Sequence, residues 1–178
     1  MIEAEPIDAG AGALDAIKTY LRISQGQEDE LLQDLVASAV DLCEQFTGQA
    51  VLVRSFAERI GASSAWTRLR RLPVRAISSV EMVEADAFAP LPPGDYSIDI
   101  DAAARGWVRL SAPVPAKIVR VHYSAGIASA WDEAPEALRH GIVRLAAHLY
   151  THRERPEDSG PPAVVTALWR PYRALRLA

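Results

Sequence analysis

The chain contains one cysteine, two lysines and few aromatics (7%), and no uncharged apolar run approaches the length of a bilayer. Each shortage closes off a class of explanation. Cys43 alone cannot form an internal disulfide, so the simplest setting is a reducing compartment. A spanning helix needs about 20 consecutive apolar residues, which points away from a membrane. The opening MIEAEPIDAGAGALD is acidic and lacks the basic-then-apolar order of a secretory signal. There is no GxGxxG, no phosphate loop ending in GK[ST], no GxSxG and no HExxH, so no familiar catalytic motif is assembled. The expectation is a soluble, cytoplasmic, non-enzymatic protein with no cofactor.

What is present is enough for a core. Of 178 residues, 49% are apolar and 24% charged, which fits one globular domain, with or without an inserted lobe. The net charge of −4 conceals a gradient. Residues 1–48 carry −8, residues 49–138 cancel, and residues 139–178 carry +4. A chain polarised in this way can bind its own other end or that of a neighbouring copy.

Periodicity divides the chain. Leu14, Ile17 and Leu21 within LDAIKTYLRI predict a short amphipathic helix. A longer helix follows, with Glu28, Asp29 and Glu30 at its positive end and Leu32, Val36, Ala39, Cys43 and Phe46 along one stripe; Gly48 is placed to end it. From Ala50 the period changes. VLVRSFAERI, AISSVEMVEA, DYSIDI, GWVRL and AKIVRVHY are short and rich in β-branched and aromatic residues, which predicts an antiparallel β lobe with Trp107 and Tyr123 on its buried face. Helix returns at Pro135 with the stripe Leu138, Ile142, Leu145, Leu149. The fold class is therefore α+β: a helical body of two N-terminal and two C-terminal helices with an inserted small antiparallel β lobe. In boundaries, 1–178 is a single domain with a helical pair at 14–48, a β lobe at 50–125, a helix at 135–154 and a terminal segment at 161–177.

Candidate chemistry is sparse. His140, Arg144, His148 and His152 recur every four residues, and His148 with His152 could grip a metal from adjacent turns. No carboxylate or cysteine completes that set nearby and Arg144 puts a cation in the row, so a polar stripe is the better reading, with a small metal-dependent enzyme as the alternative. Cys43 lies on an apolar stripe and reads as a core thiol, not a nucleophile. Asp95, Asp99 and Asp101 alternate as in a strand and lack the spacing of a calcium loop. The basic C-terminal third could touch DNA in passing, but a pI near 5.6 argues against a dedicated binder.

The terminal segment PPAVVTALWRPYRALRLA is the unusual feature. Val164, Val165, Leu168 and Trp169 supply an apolar face; Pro171 removes a helical hydrogen bond and predicts a break; Tyr172 and Leu175 continue the apolar side beside Arg170, Arg173 and Arg176. Trp, Tyr and Arg are enriched at the energetic centres of interfaces, and so short a helix orders only against something. That surface is either another protein or the chain's own helix from Leu138 to Leu149, and a partner is the expectation.

The joint order of LDAIKTYLRI, EDELLQDLVASAVDLCEQFTG, LRRLPVRAISSVEMV, VRVHYSAGIASAWDEAPEALRHGIVRLAAHLYTHRE and PPAVVTALWRPYRALRL resembles the head–tail connector (adaptor) family of long-tailed phages and gene transfer agents. The resemblance runs from about Leu14 to Leu177. It implies a structural ring, commonly of twelve copies, beneath the portal of a DNA-filled head in the particle neck, assembled in the bacterial cytoplasm. Its partners are then the portal protein, a stopper or tail-completion protein, further copies of itself and, in passing, channel DNA. A stopper or tail-end ring protein is the sibling reading. The terminal segment becomes the portal-docking arm, and Glu28, Asp29, Glu30 and Asp34 are expected to meet Arg144 and Arg153 of a neighbouring copy.

Overall fold

A computed structural model describes residues 1–84, 87–152 and 161–174. The element order is β1 (Ile2–Ala4), α1 (Gly10–Leu21), α2 (Asp29–Thr47), β2 (Arg54–Gly61), β3 (Thr67–Arg68), β4 (Val74–Glu84), β5 (Ala87–Pro90), β6 (Tyr96–Ile100), β7 (Gly106–Leu110), β8 (Ile118–Ala125), a 3-10 turn (Trp131–Glu133), α3 (Glu136–Thr151), α4 (Ala163–Trp169) and a second 3-10 turn (Arg170–Tyr172). Helices and antiparallel sheets make it α+β, as expected. Residues form two compact units, one of Met1–Pro6 with Val53–Ile127 and one of Ile7–Leu52 with Ala128–Ala178.

The β unit holds a five-stranded sheet ordered β1-β2-β8-β4-β5 and a three-stranded sheet ordered β3-β7-β6. Every neighbouring pair is antiparallel. Alternation sets the faces: Phe56 and Glu58 on β2 fall opposite Tyr123 and Val121 on β8, and all four are buried. Buried Glu58 is satisfied by the Tyr123 hydroxyl (2.9 Å), the Arg70 backbone N–H (3.0 Å) and the Arg70 guanidinium (3.4 Å). That carboxylate and burial act on Tyr123 in the same direction: burial first, then the charge, push its phenol pKa up.

Three expectations change here. The N-terminal residues supply a strand, because Ile2–Ala4 pairs with Phe56–Glu58 and covers the β2 edge. β3 and β5 are further strands, too short to show a period. Trp107 is not on the buried face; Val108 and Leu110 are, and Trp107 lies half-buried on the other side, its indole N–H donating to Asp101 (3.1 Å). The period of two permits either face, and Gly106, Val108 and Leu110 are the set that packs.

In the helical unit α2 ends as its sequence dictates. Gly48 takes the left-handed conformation (φ 74°) and donates to the Glu44 carbonyl. Leu32, Val36, Ala39 and Cys43 of the predicted stripe are buried, and Phe46 is half-buried. α1 begins at Gly10, four residues before the predicted Leu14, because the Asp8 carboxylate accepts the Gly10 N–H (2.8 Å). The buried residues on α1 are Ala13 and Ile17. Gly12 is accommodated beside Trp131, whose Cδ1 would lie 3.2 Å from a Cβ there. Pro135 precedes α3 as its N-cap, its carbonyl accepting the Leu138 and Arg139 N–H groups. α3 runs to Thr151, whose hydroxyl donates to the Ala147 carbonyl (3.0 Å); residues 153 and 154 of the expected helix lie outside the described residues.

Candidate interaction surfaces

The terminal segment is built on prolines. Pro162 caps α4, its carbonyl accepting the N–H groups of Val165 and Thr166. Pro171 then turns the chain into a 3-10 step at Arg170–Tyr172, the break its missing N–H predicts. Val165 and Trp169, four residues apart on one face, are both fully buried in their own unit. Trp169 sits over Gly141 of α3: a Cβ on Gly141 would lie 2.9 Å from its Cδ1 and Cε2, and closer still to Nε1. Phe46 of α2 flanks the indole at 6.0 Å between ring centroids. The Trp169 N–H has no acceptor among the described residues, so shape holds the ring, not a hydrogen bond.

Past the turn, α2 holds the chain. The Gln49 side-chain amide donates to the Tyr172 carbonyl, the Ala174 N–H donates to the Thr47 carbonyl (2.7 Å), and the Arg173 guanidinium lies 5.8 Å from the Phe46 ring centre. This corrects one part of the partner expectation. Val165 and Trp169 face the protein's own interior, because the missing side chain at Gly141 leaves a notch that fits the indole. What the segment presents outward is Val164, Arg170 and Arg173, all exposed, with half-buried Leu168 and Tyr172. Leu175 and Arg176 lie outside the described residues.

The acidic candidates divide as well. Glu28 accepts from the Tyr150 hydroxyl (2.7 Å) and Asp29 is paired with Lys18 (2.6 Å), so both are engaged within their own unit. Glu30 and Asp34 are exposed, one turn apart on α2. Arg144 is half-buried on α3, and Arg153 lies outside the described residues.

His148 and His152 stack, ring centroids 4.2 Å apart, and His152 Nδ1 lies 2.9 Å from the Thr151 hydroxyl. Among the described residues no group of three His, Cys, Asp or Glu is arranged to hold a metal. Cys43 is fully buried, and burial, then the neighbouring Glu44 charge, raise its thiol pKa far from nucleophilic range. Asp101 organises its own turn, accepting the N–H of Arg105 (3.0 Å) and of Ala103 (2.9 Å). The Arg105 N–H, foremost, lowers its pKa.

Sequence reading missed Gly141, Gln49 and Glu44. Gly141 stands in a helix where glycine costs about 1 kcal/mol against alanine, a signal that a close neighbour needs the space. Glu44 sits on the apolar face of α2, fully buried, accepting the Val51 N–H (2.9 Å); its place on the stripe was the signal.

Residues 12–89, from α1 into β5, match the family model described as Phage gp6-like head-tail connector protein. Among solved structures, a chain of the neck of an empty GTA particle computed with C6 symmetry is 22% identical with a TM-score of 0.79. A chain from the virion of a native gene transfer agent (GTA) particle is 23% identical with a TM-score of 0.75, and one from the neck of a native GTA particle computed with C12 symmetry is 21% identical with a TM-score of 0.72. Each alignment covers 100% of this chain and 97% of the other. At these identities the shared property is the fold. No curated protein matches in sequence.

Proposed function

From the similarity of residues 12–89 to head–tail connector proteins, we propose that this protein is a structural, non-catalytic part of the neck of a gene transfer agent or phage particle. It forms a ring that joins the portal of a DNA-filled head to the stopper or tail, and its terminal segment docks on the portal. The observation that carries this reading is the joint one: a connector-family match in the N-terminal half on a chain whose whole length adopts the fold of gene transfer agent neck chains.

In this reading the docking surface is already in place before the partner arrives. With Val165 and Trp169 fixing α4 to its own unit, the arm is a pre-formed surface of Val164, Leu168, Arg170, Tyr172 and Arg173. A segment already ordered loses less entropy when bound than a disordered tail would. Arg170 and Arg173, three residues apart and exposed, suit carboxylates of a partner.

Two variants test this against purified portal. Removing Pro162 onward is expected to abolish binding, but it also uncovers the α3 notch. Arg170→Glu with Arg173→Glu leaves Val165 and Trp169 in place and is expected to weaken binding about tenfold. Portal binding unchanged in the double variant rejects this surface.

A further inference from the structure

The stretch RLRRLPVR (68–75) places four arginines and no acid in eight residues. The fold adds a fifth. The Leu69 N–H donates to the Gly106 carbonyl and the Val74 N–H to the Ala104 carbonyl, both at 2.8 Å, which clamps this loop round the turn carrying Arg105. The clamp is tight: a Cβ on Gly106 would lie 2.8 Å from Leu69 Cδ1 and 3.0 Å from Val74 Cγ2. Backbone bonds therefore hold the arginine-bearing loop and the turn of Arg105 against each other.

Little of that charge is neutralised. Arg70 meets Glu58 at 3.4 Å, and Arg105 meets Asp101 only at 3.9 Å. Arg75 spends its guanidinium on the carbonyls of Gly126 and Ile127, which leaves its charge uncompensated. Arg68 and Arg71 have no carboxylate within ion-pair distance among the described residues. Cations concentrated on one short stretch with few carboxylates repel one another, and the planar fork of a guanidinium is made for paired oxygens.

The anion that fits is on this chain. Glu30, Asp34 and Asp41 fall on one row of α2 at helical spacing, in a stretch of net charge −8. Duplex DNA is the weaker candidate, because its phosphates would approach a protein of net charge −4. We propose that the 68–75 loop with Arg105 is the basic half of a heterologous contact, and that it receives the α2 carboxylates of a second copy. The inference rests on the ring reading above and names the surfaces of that ring; it replaces Arg144 and Arg153 as the cationic side.

Charge-swapped variants test it. One carries Arg68→Glu and Arg71→Glu, avoiding Arg70 because buried Glu58 depends on it; the other carries Glu30→Arg and Asp34→Arg. Sedimentation of the full chain at low salt is expected to show self-association of the wild type, weakened about tenfold in each variant alone. An equimolar mixture should restore it, since each variant supplies the surface the other has lost, and restoration also certifies that both fold. A wild type that stays monomeric at low salt, or a mixture that stays dissociated, overturns the pairing. So does Arg68→Glu with Arg71→Glu if it leaves association intact while abolishing retention of duplex DNA, which would assign the loop to nucleic acid. Portal capture by the wild type is read separately, so the neck reading and the pairing can fail independently.

Discussion

At the scale of single residues, two positions set terms that the rest of the chain obeys. Gly141 is where α3 yields space to Trp169. Gly141→Ala is favourable in an isolated helix by about 1 kcal/mol, yet here the new methyl overlaps the indole. Overpacking typically costs about 1–3 kcal/mol, so the variant should have a lower urea midpoint and a more solvent-exposed Trp169; an unchanged or higher midpoint would show that the notch is not what seats the arm. Tyr123 offers a second test. Its phenol is shifted up by burial and by Glu58, so the folded state favours the neutral form. Stability from this source is complete below the ordinary tyrosine pKa of about 10 and falls as pH rises beyond it, because only the unfolded chain then ionises freely. Tyr123→Phe should lose about 1–3 kcal/mol near neutrality, since Glu58 loses a donor, but its stability should decline less above pH about 10. Denaturation curves at neutral and alkaline pH decide it, and parallel alkaline losses in both proteins would refute the assignment.

At the scale of elements, what was legible depended on length and period. α2 repeats its stripe for five turns and ends in a glycine that must take a left-handed conformation, so its limits and buried face were readable to within a residue. β7, as GWVRL, was bounded correctly, yet its inward face was not, because a strand of five residues gives a period of two with no preference for either side. β1 and β3 have only three and two residues, and their existence is decided by partners distant in sequence. The terminal arm shows the same division. Pro162 and Pro171 announced its start and its break, while the direction of its apolar side turned on an absence at Gly141, in another helix. Sequence spacing finds amphipathic elements; it does not say which surface answers them. The arginine loop was visible as composition, but only the backbone bonds to Ala104 and Gly106 show that it is fixed against the turn carrying Arg105.

At the scale of the whole molecule, the arm and the charged surfaces should respond differently to solution conditions, and that difference identifies them. A ring made by repeating one heterologous contact needs two unlike faces on every copy. Charge provides them in this chain, with −8 in the first 48 residues and four arginines between 68 and 75. The arm offers Val164, Leu168 and Tyr172 beside two arginines, a mixed surface whose apolar part is indifferent to ions. Screening shortens from about 10 Å at 0.1 M salt to about 3 Å at 1 M. Contacts between copies should therefore weaken about tenfold or more as sodium chloride is raised across that range, while capture on the portal loses only the share owed to Arg170 and Arg173. Measuring both on the same preparation separates the two contacts without any substitution. If association between copies is insensitive to salt while portal capture collapses, the roles are reversed: the arm is the electrostatic contact, and the surfaces that close the ring must be sought among exposed apolar residues such as Leu31, Ile98 and Ile100.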